Sequence, residues 1–279
     1  MTTWLQAGNN AVITGGASGI GLAAAARYLG AGMNVLVADL DADALAAAAD
    51  ALADVGGGNL HTEICDVADL EALRRLQSTA ADKLGNVHCL MNNAGAGLAP
   101  AQPWEEPGRW RKQLDINLWG VIHGCQAFLP AMLEAGEAAA VINTGSKQGI
   151  TNPPGNYAYN LSKAGVKAYT ESVAHALRQL DGCPVSAHLL IPGFTYTGMI
   201  ARFIKEQPPG AWSPDQVVDF LLDALARGDF YVLCPDNETP RALDEKRIQW
   251  NTDDLLRSRS ALSRWDPAYE AAYQAFVDD

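Results

Sequence analysis

Cysteine is sparse and badly spaced for cross-linking or metal binding. Cys65, Cys89, Cys125, Cys183 and Cys234 are scattered, odd in number and form no Cys-x-x-Cys pair. That pattern argues against a disulfide framework, a structural zinc site or any other metal centre, and it suits free, mostly buried thiols in a reducing cytoplasm. Positive charge is also short: 20 Lys and Arg stand against 32 Asp and Glu, a formal net charge of −12. Such a balance disfavours binding to nucleic-acid backbones or to an anionic membrane surface. No run approaches eighteen uninterrupted apolar residues, and the N-terminus has no basic stretch followed by an apolar one, so neither insertion nor export is expected. The Gly-Lys-Ser/Thr ending of an NTPase phosphate loop is missing as well, which disfavours that chemistry.

What is present is the composition of a soluble globular protein, 48% hydrophobic and 19% charged over 279 residues, enough for one large α/β domain. Short apolar runs alternate with helical patterns. Strands are predicted at 11–14, 34–39, 60–65, 88–92, 139–144, 185–191 and 230–233, with helices at 22–29, 42–53, 70–83, 110–133 (in one or two pieces) and 157–180. The alternation predicts a parallel sheet covered on both faces. After Cys234-Pro235 the pattern changes to a polar tail carrying Trp250, Trp265, Tyr269, Tyr273 and Phe276. The division expected is a catalytic domain over 1–235 and a C-terminal extension over 236–279, packed on the domain or on a neighbouring subunit.

Two local patterns carry chemistry. A strand, then Thr14-Gly15-Gly-Ala-Ser18-Gly19-Ile20-Gly21, then a helix lets backbone amides approach a pyrophosphate and sets a helix N-terminus against its charge; the alternative is a tight turn without a ligand. The next strand ends at Asp39, placed to bind a ribose 2′-hydroxyl, to repel a 2′-phosphate, or to cap the following helix. With no cation at Ser18 or Leu40, NAD is preferred over NADP. Further along, Tyr159 and Lys163 are four residues apart on one helix, so the ammonium can approach the phenol and lower its pKa, with Ser146 thirteen residues upstream. Taken singly, Ser146 also reads as a strand-end polar residue, Tyr159 as a core aromatic and Asn117 as a capping amide. Lys147 and Lys167 read as solvated or loop residues rather than catalytic ones, with a reach to the pocket rim as the alternative for Lys147, which directly follows Ser146.

Together with Asp66-Val67, Asn92-Asn93-Ala94-Gly95, Asn117, Pro192-Gly193 and Thr197, in this order over residues 9 to 235, these motifs make the chain resemble the short-chain dehydrogenase/reductase family. The resemblance implies a Rossmann-type doubly wound sheet and a catalytic tetrad of Asn117, Ser146, Tyr159 and Lys163. Tyr159 would be the general acid/base, Ser146 the holder of the substrate oxygen, Lys163 the partner of Tyr159 and of the nicotinamide ribose, and Asn117 the holder of a proton-relay water. It implies cofactor contacts from Gly15, Ser18, Gly19, Ile20, Gly21, Asp39, Asp66, Val67, Asn93, Ala94, Gly95, Tyr159, Lys163, Pro192, Gly193, Thr195 and Thr197.

Substrate contacts are expected from loops at the strand ends: Gln148 and Asn152 as polar groups, and Phe194, Tyr196, Met199 and Phe203, with Ile200 and Trp212, as an apolar lid or as core. The activity expected is NAD-linked interconversion of a mainly apolar secondary alcohol and its ketone by a homo-oligomer, dimer or tetramer by family habit. The rival readings are an NADP-linked carbonyl reductase and a non-catalytic dinucleotide-binding regulator; an epimerase or dehydratase fits the glycine spacing less well.

Overall fold

A sheet whose inner strands are fully buried needs cover on both faces, and the computed structural model, which describes residues 4–201 and 204–279, supplies it. The strands are β1 (Asn10–Thr14), β2 (Asn34–Asp39), β3 (Leu60–Ile64), β4 (Cys89–Asn92), β5 (Ala139–Thr144), β6 (Val185–Ile191) and β7 (Tyr231–Leu233), and they form one sheet in the order β3-β2-β1-β4-β5-β6-β7. Every pairing is parallel. The chain leaves β1 in one direction for β2 and β3 and returns to its other side for β4, so the crevice beyond the carboxyl ends of β1 and β4 is the switch point where such sheets bind ligands.

One face carries α1 (Gly19–Gly30), α2 (Ala42–Leu52) and α9 (Pro214–Arg227), packed through Ala24, Tyr28, Leu45, Val218 and Leu221; the other carries α3 (Leu70–Leu84), α5 (Gly120–Ala135) and α7 (Tyr157–Arg178), packed through Leu73, Leu76, Phe128, Met132 and Leu177. Phe128 is 1% exposed, so its truncation to alanine would cost about 3–5 kcal/mol. The short α4 (Pro107–Leu114) runs into α5 through a π turn at Asp115–Trp119, so the helix expected over 110–133 is one continuous stretch with a local widening. Pro107–Ala135 is long and apolar enough by composition to cross a membrane, but its apolar residues Val121, Cys125, Phe128 and Met132 pack against the sheet.

Two small helices, α6 (Gln148–Thr151) and α8 (Gly198–Ala201), sit at the carboxyl ends of β5 and β6. The extension forms α10 (Arg241–Leu256), two 3-10 turns and α11 (Glu270–Asp278). Its aromatics gather on Trp250, which is 4% exposed, meets Tyr273 and Phe276 at ring distances of 5.2 and 5.4 Å, and donates to Ser263 Oγ. The extension lies against the domain: Ile248 packs with Ile150, and Asn251 Nδ2 donates to the Ile150 carbonyl.

Candidate active site

Helix α1 begins inside the glycine cluster, three residues earlier than the apolar pattern alone indicates. Its N-cap, Ser18, makes no side-chain cap bond, so nothing in that side chain covers the first-turn amides. Gly15 has φ 62°, and a Cβ there would lie 2.6 Å from Ala94 Cα; at Gly21 it would lie 2.3 Å from the Gly15 carbonyl oxygen. These close approaches dock the glycine loop on the Asn93–Gly95 turn. Thr14 Oγ1 accepts from the amides of Asn93 and Ala94, and Asn93 Nδ2 donates to the Gly15 carbonyl. Thr14 was not singled out from sequence, although a hydroxyl at the end of a strand before a glycine loop is the signal that could have found it.

Asp39 ends β2 and its Oδ2 accepts from Ala17 N at 3.2 Å, tying it to the glycine loop. The capping role falls to Asp41, whose Oδ1 accepts from the Asp43 and Ala44 amides. Likewise Asp69 caps α3, while Asp66 is exposed beyond β3 and accepts from Ala68 N. Beside it Val67 is buried under Gly120 of α5, where a Cβ would meet Val67 Cγ2 at 2.7 Å. Ile20 is buried in the core below α1. From the other side, Pro192–Thr197 reaches across: Thr195 pairs with Trp212 in an isolated bridge, and the Thr197 side chain lies 3.1 Å from where a Gly19 Cβ would be.

The four tetrad residues come from the ends of β5, α7 and the π turn. Lys163 is 4% exposed, its Nζ donates to the Thr144 carbonyl at 2.7 Å, and it lies 5.8 Å from the centre of the Tyr159 ring. Ser146 Oγ accepts from Gln148 N at 3.2 Å. Asn117, fully buried in the π turn, holds Ala96 by both ends of its amide and also donates to Ser162 Oγ. A Cβ at Gly95 would be 3.5 Å from Asn117 Oδ1 and 3.7 Å from Lys163 Nζ, so all three border one space.

Burial dominates the electrostatics of this space. It pushes the Lys163 ammonium down to about 8 from its ordinary 10.5. It also raises the Tyr159 phenol, with the Ser146 hydroxyl opposing it in part. The lowering of Tyr159 by Lys163 expected from their spacing is therefore outweighed here: loss of hydration exceeds any effect of an ammonium directed at the Thr144 carbonyl.

On the substrate side, two loops meet where Met199 Sδ lies 3.0 Å from the Cβ position of Gly97. Loop 96–104 is pinned by Gln113, which accepts from Leu98 N and donates to the Ala96 carbonyl, and by Arg109 on the carbonyls of Ala99 and Pro100. Gln148 presents a buried Oε1 with no donor among the described residues. Asn152 ends α6 with φ 48°, its Oδ1 engaged by Asn160 Nδ2. Phe194 is 37% exposed, and Tyr196 donates its hydroxyl to the carbonyls of Ile204 and Lys205. Trp212 is core rather than lid, packed 5.9 Å from Phe220 and bonded to Asn237 Oδ1. Phe203 lies outside the described residues.

The sequence matches the short chain dehydrogenase family over residues 9–208. It is 34% identical over 245 residues to 1-deoxy-11-beta-hydroxypentalenate dehydrogenase of Streptomyces exfoliatus, covering 86% of this chain and 88% of that one. It is 33% identical over 195 residues to 3beta-hydroxysteroid dehydrogenase 2 of Eggerthella lenta, covering 69% and 73% respectively. In structure it is similar to a short chain dehydrogenase/reductase from Burkholderia phymatum in complex with NAD, with a TM-score of 0.83, 30% identity, and coverage of 92% of this chain and 97% of the other.

Proposed function

The chain belongs to the short-chain dehydrogenase family and is a nicotinamide-dependent oxidoreductase acting on hydroxyl groups, and from that premise we propose that it interconverts a mainly apolar secondary alcohol and its ketone with NAD. The observation that carries the reading is the convergence of Ser146, Tyr159 and Lys163 on one space at the end of β5, opposite the glycine loop.

The residues present fit a dinucleotide. Gly15 and Gly21 leave no room for a Cβ, Ser18 leaves the first turn of α1 uncapped, and Asp39 places a carboxylate where a ribose hydroxyl would be bound and a 2′-phosphate repelled. Two like charges about 4 Å apart near a protein surface cost on the order of 4 kcal/mol, which supports NAD over NADP. When bound, the nicotinamide supplies the hydride acceptor for oxidation and the donor for reduction.

Tyr159 takes the alcohol proton in oxidation and returns it in reduction, and Ser146 Oγ holds the substrate oxygen beside the phenol. Lys163, anchored on the Thr144 carbonyl, lines the same space and relays the proton by releasing one of its own toward solvent as it takes up the one from Tyr159, with Asn117 fixing the Ala96 end of the neighbouring loop. Burial adds to the ordinary tendency of a phenol to stay protonated at neutral pH, so Tyr159 is set there to act as an acid toward a ketone. Met199 and Phe194 give the site apolar walls, and the buried Gln148 Oε1 asks for a donor on the substrate. The names of the two relatives, a hydroxypentalenate and a hydroxysteroid dehydrogenase, accord with a bulky carbocyclic alcohol.

Exposed Trp119 and Leu161 support a homo-oligomer, and five free thiols support a reducing cytoplasm as its setting. The test is growth of reduced-nicotinamide absorbance with NAD or NADP and a panel of cyclic, aryl and aliphatic secondary alcohols, beside Tyr159→Phe. Turnover with NAD that disappears in the variant is expected; NADP-only turnover, or activity that survives the variant, overturns the proposal.

A further inference from the structure

Directly after Ser146, the side chain of Lys147 turns away from solvent to the C-terminal extension. It is 15% exposed, and its Nζ lies 3.1 Å from Asp236 Oδ2 and 2.6 Å from Asp244 Oδ2, two carboxylates whose side chains are 6% and 5% exposed. A lysine expected to be solvated is thus the centre of a buried ion cluster. Isolated buried charges are costly, so such a cluster holds its members in one geometry.

The cluster touches the site from two sides. The Lys147 backbone donates to the Pro192 carbonyl, its carbonyl accepts from the amides of Ile150 and Thr151, and the preceding Gly145 donates to Leu190. Ser146 is therefore strung between β6 and α6, with Lys147 as the fixed end. Asp236 Oδ2 also accepts from Phe194 N, and its Oδ1 accepts from Glu238 N and Thr239 N. Between the two segments Gly193 leaves room for the ion pair to pass: a Cβ there would lie 2.6 Å from Asp236 Oδ2 and 2.9 Å from Lys147 Nζ. The requirement for glycine in Pro192-Gly193 thus has a cause in this chain besides a cofactor. Asp244 belongs to α10, which also holds α6 through Asn251.

We propose that Lys147, Asp236 and Asp244 form a clamp by which the C-terminal extension positions Ser146 against Tyr159, making Lys147 and Asp244 positioning residues for the hydride-transfer reaction. The inference rests on the reading of Ser146 as the holder of the substrate oxygen. Asp244 reaches the serine only through Lys147.

Four proteins test it: wild type, Lys147→Arg, Asp244→Asn and Lys147→Met/Asp244→Asn. The double variant removes one charge of each sign and leaves the Asp236 carboxylate without its lysine but still held by its three backbone donors, Phe194, Glu238 and Thr239. Expected for it are NADH affinity by fluorescence within about twofold of wild type, a kcat lower by roughly tenfold or more with KM for the alcohol little changed, and faster amide exchange over residues 145–151. Lys147→Arg restores most of kcat. Asp244→Asn, which keeps the Lys147–Asp236 pair, loses roughly threefold in kcat and decides the matter if the double variant does not fold. Wild-type kcat in Asp244→Asn together with unchanged exchange over 145–151 overturns the clamp. Should Tyr159→Phe retain turnover, the catalytic reading fails instead, and the exchange of 145–151 still decides whether the extension holds this turn.

Discussion

Replacing Lys163 with methionine should remove activity and, at neutral pH, make the protein slightly more stable. The ammonium is 4% exposed and burial lowers its pKa from 10.5 to about 8. At 1.36 kcal/mol per pH unit that drop corresponds to about 3 kcal/mol of destabilisation carried by the charged form. Methionine fills much of the same volume without the charge, but it leaves the Thr144 carbonyl without its 2.7 Å donor, a loss of about 1–3 kcal/mol. The balance at pH 7 is a variant more stable by about 0–2 kcal/mol, or up to roughly 5 °C in Tm.

The pH dependence identifies the cause. The folded pKa lies below the unfolded one, so between pH 8 and 10.5 the unfolded wild type binds more protons than the folded one, and wild-type stability rises with pH through that window. The advantage of Lys163→Met should therefore be complete below pH 8 and vanish or reverse by pH 10.5. Urea titrations of both proteins at pH 7 and pH 10 measure it. A variant several kcal/mol less stable at pH 7, or a difference equal at both pH values, would refute the argument that burial of this charge is a cost retained for catalysis.

Other consequences follow from the same geometry. Asp39→Ala should narrow the preference for NAD over NADP by roughly 10- to 100-fold in kcat/KM, since the repelling carboxylate is gone; unaltered discrimination would mean that another group sets it. Because burial raises the Tyr159 phenol, alcohol oxidation at saturating substrate should climb from pH 7 to pH 9, by up to about tenfold per unit, while ketone reduction does not climb; a flat oxidation profile would count against Tyr159 as the base. Gly21→Ala forces a methyl to 2.3 Å from the Gly15 carbonyl and should cost about 1–3 kcal/mol in stability together with most NADH affinity, read by thermal melt and fluorescence titration.

Strand positions were legible because the inner strands are buried on both faces and read as largely apolar runs, unlike the half-buried edge strand β3 with its His61, Thr62 and Glu63: β2, β5 and β6 fall on the expected residues, and the others differ by one at an end. Helix ends were less visible. The start of α1 hides inside the glycine cluster, and α10 has no apolar stripe because its inward face carries Asp244, Trp250, Asp253 and Asp254 rather than leucines. The candidate tetrad and the glycine loop could be proposed from sequence because the chemistry expected of them demands fixed residue types at fixed spacing. Their protonation could not: spacing alone put Lys163 in charge of the Tyr159 phenol, whereas the burial of both groups is a property of the assembled core. The ion cluster of Lys147 could not be read for the same reason, since its partners Asp236 and Asp244 are 89 and 97 residues away in the chain.

The most direct measurement uses a secondary alcohol deuterated at the carbinol carbon, incubated with NAD and enzyme, and the mass of the reduced nicotinamide formed. Direct hydride transfer with Tyr159 as base predicts NADH heavier by about one mass unit with wild type and none with Tyr159→Phe. Unlabelled NADH from the labelled alcohol, or labelled NADH formed equally fast by the variant, would contradict the account.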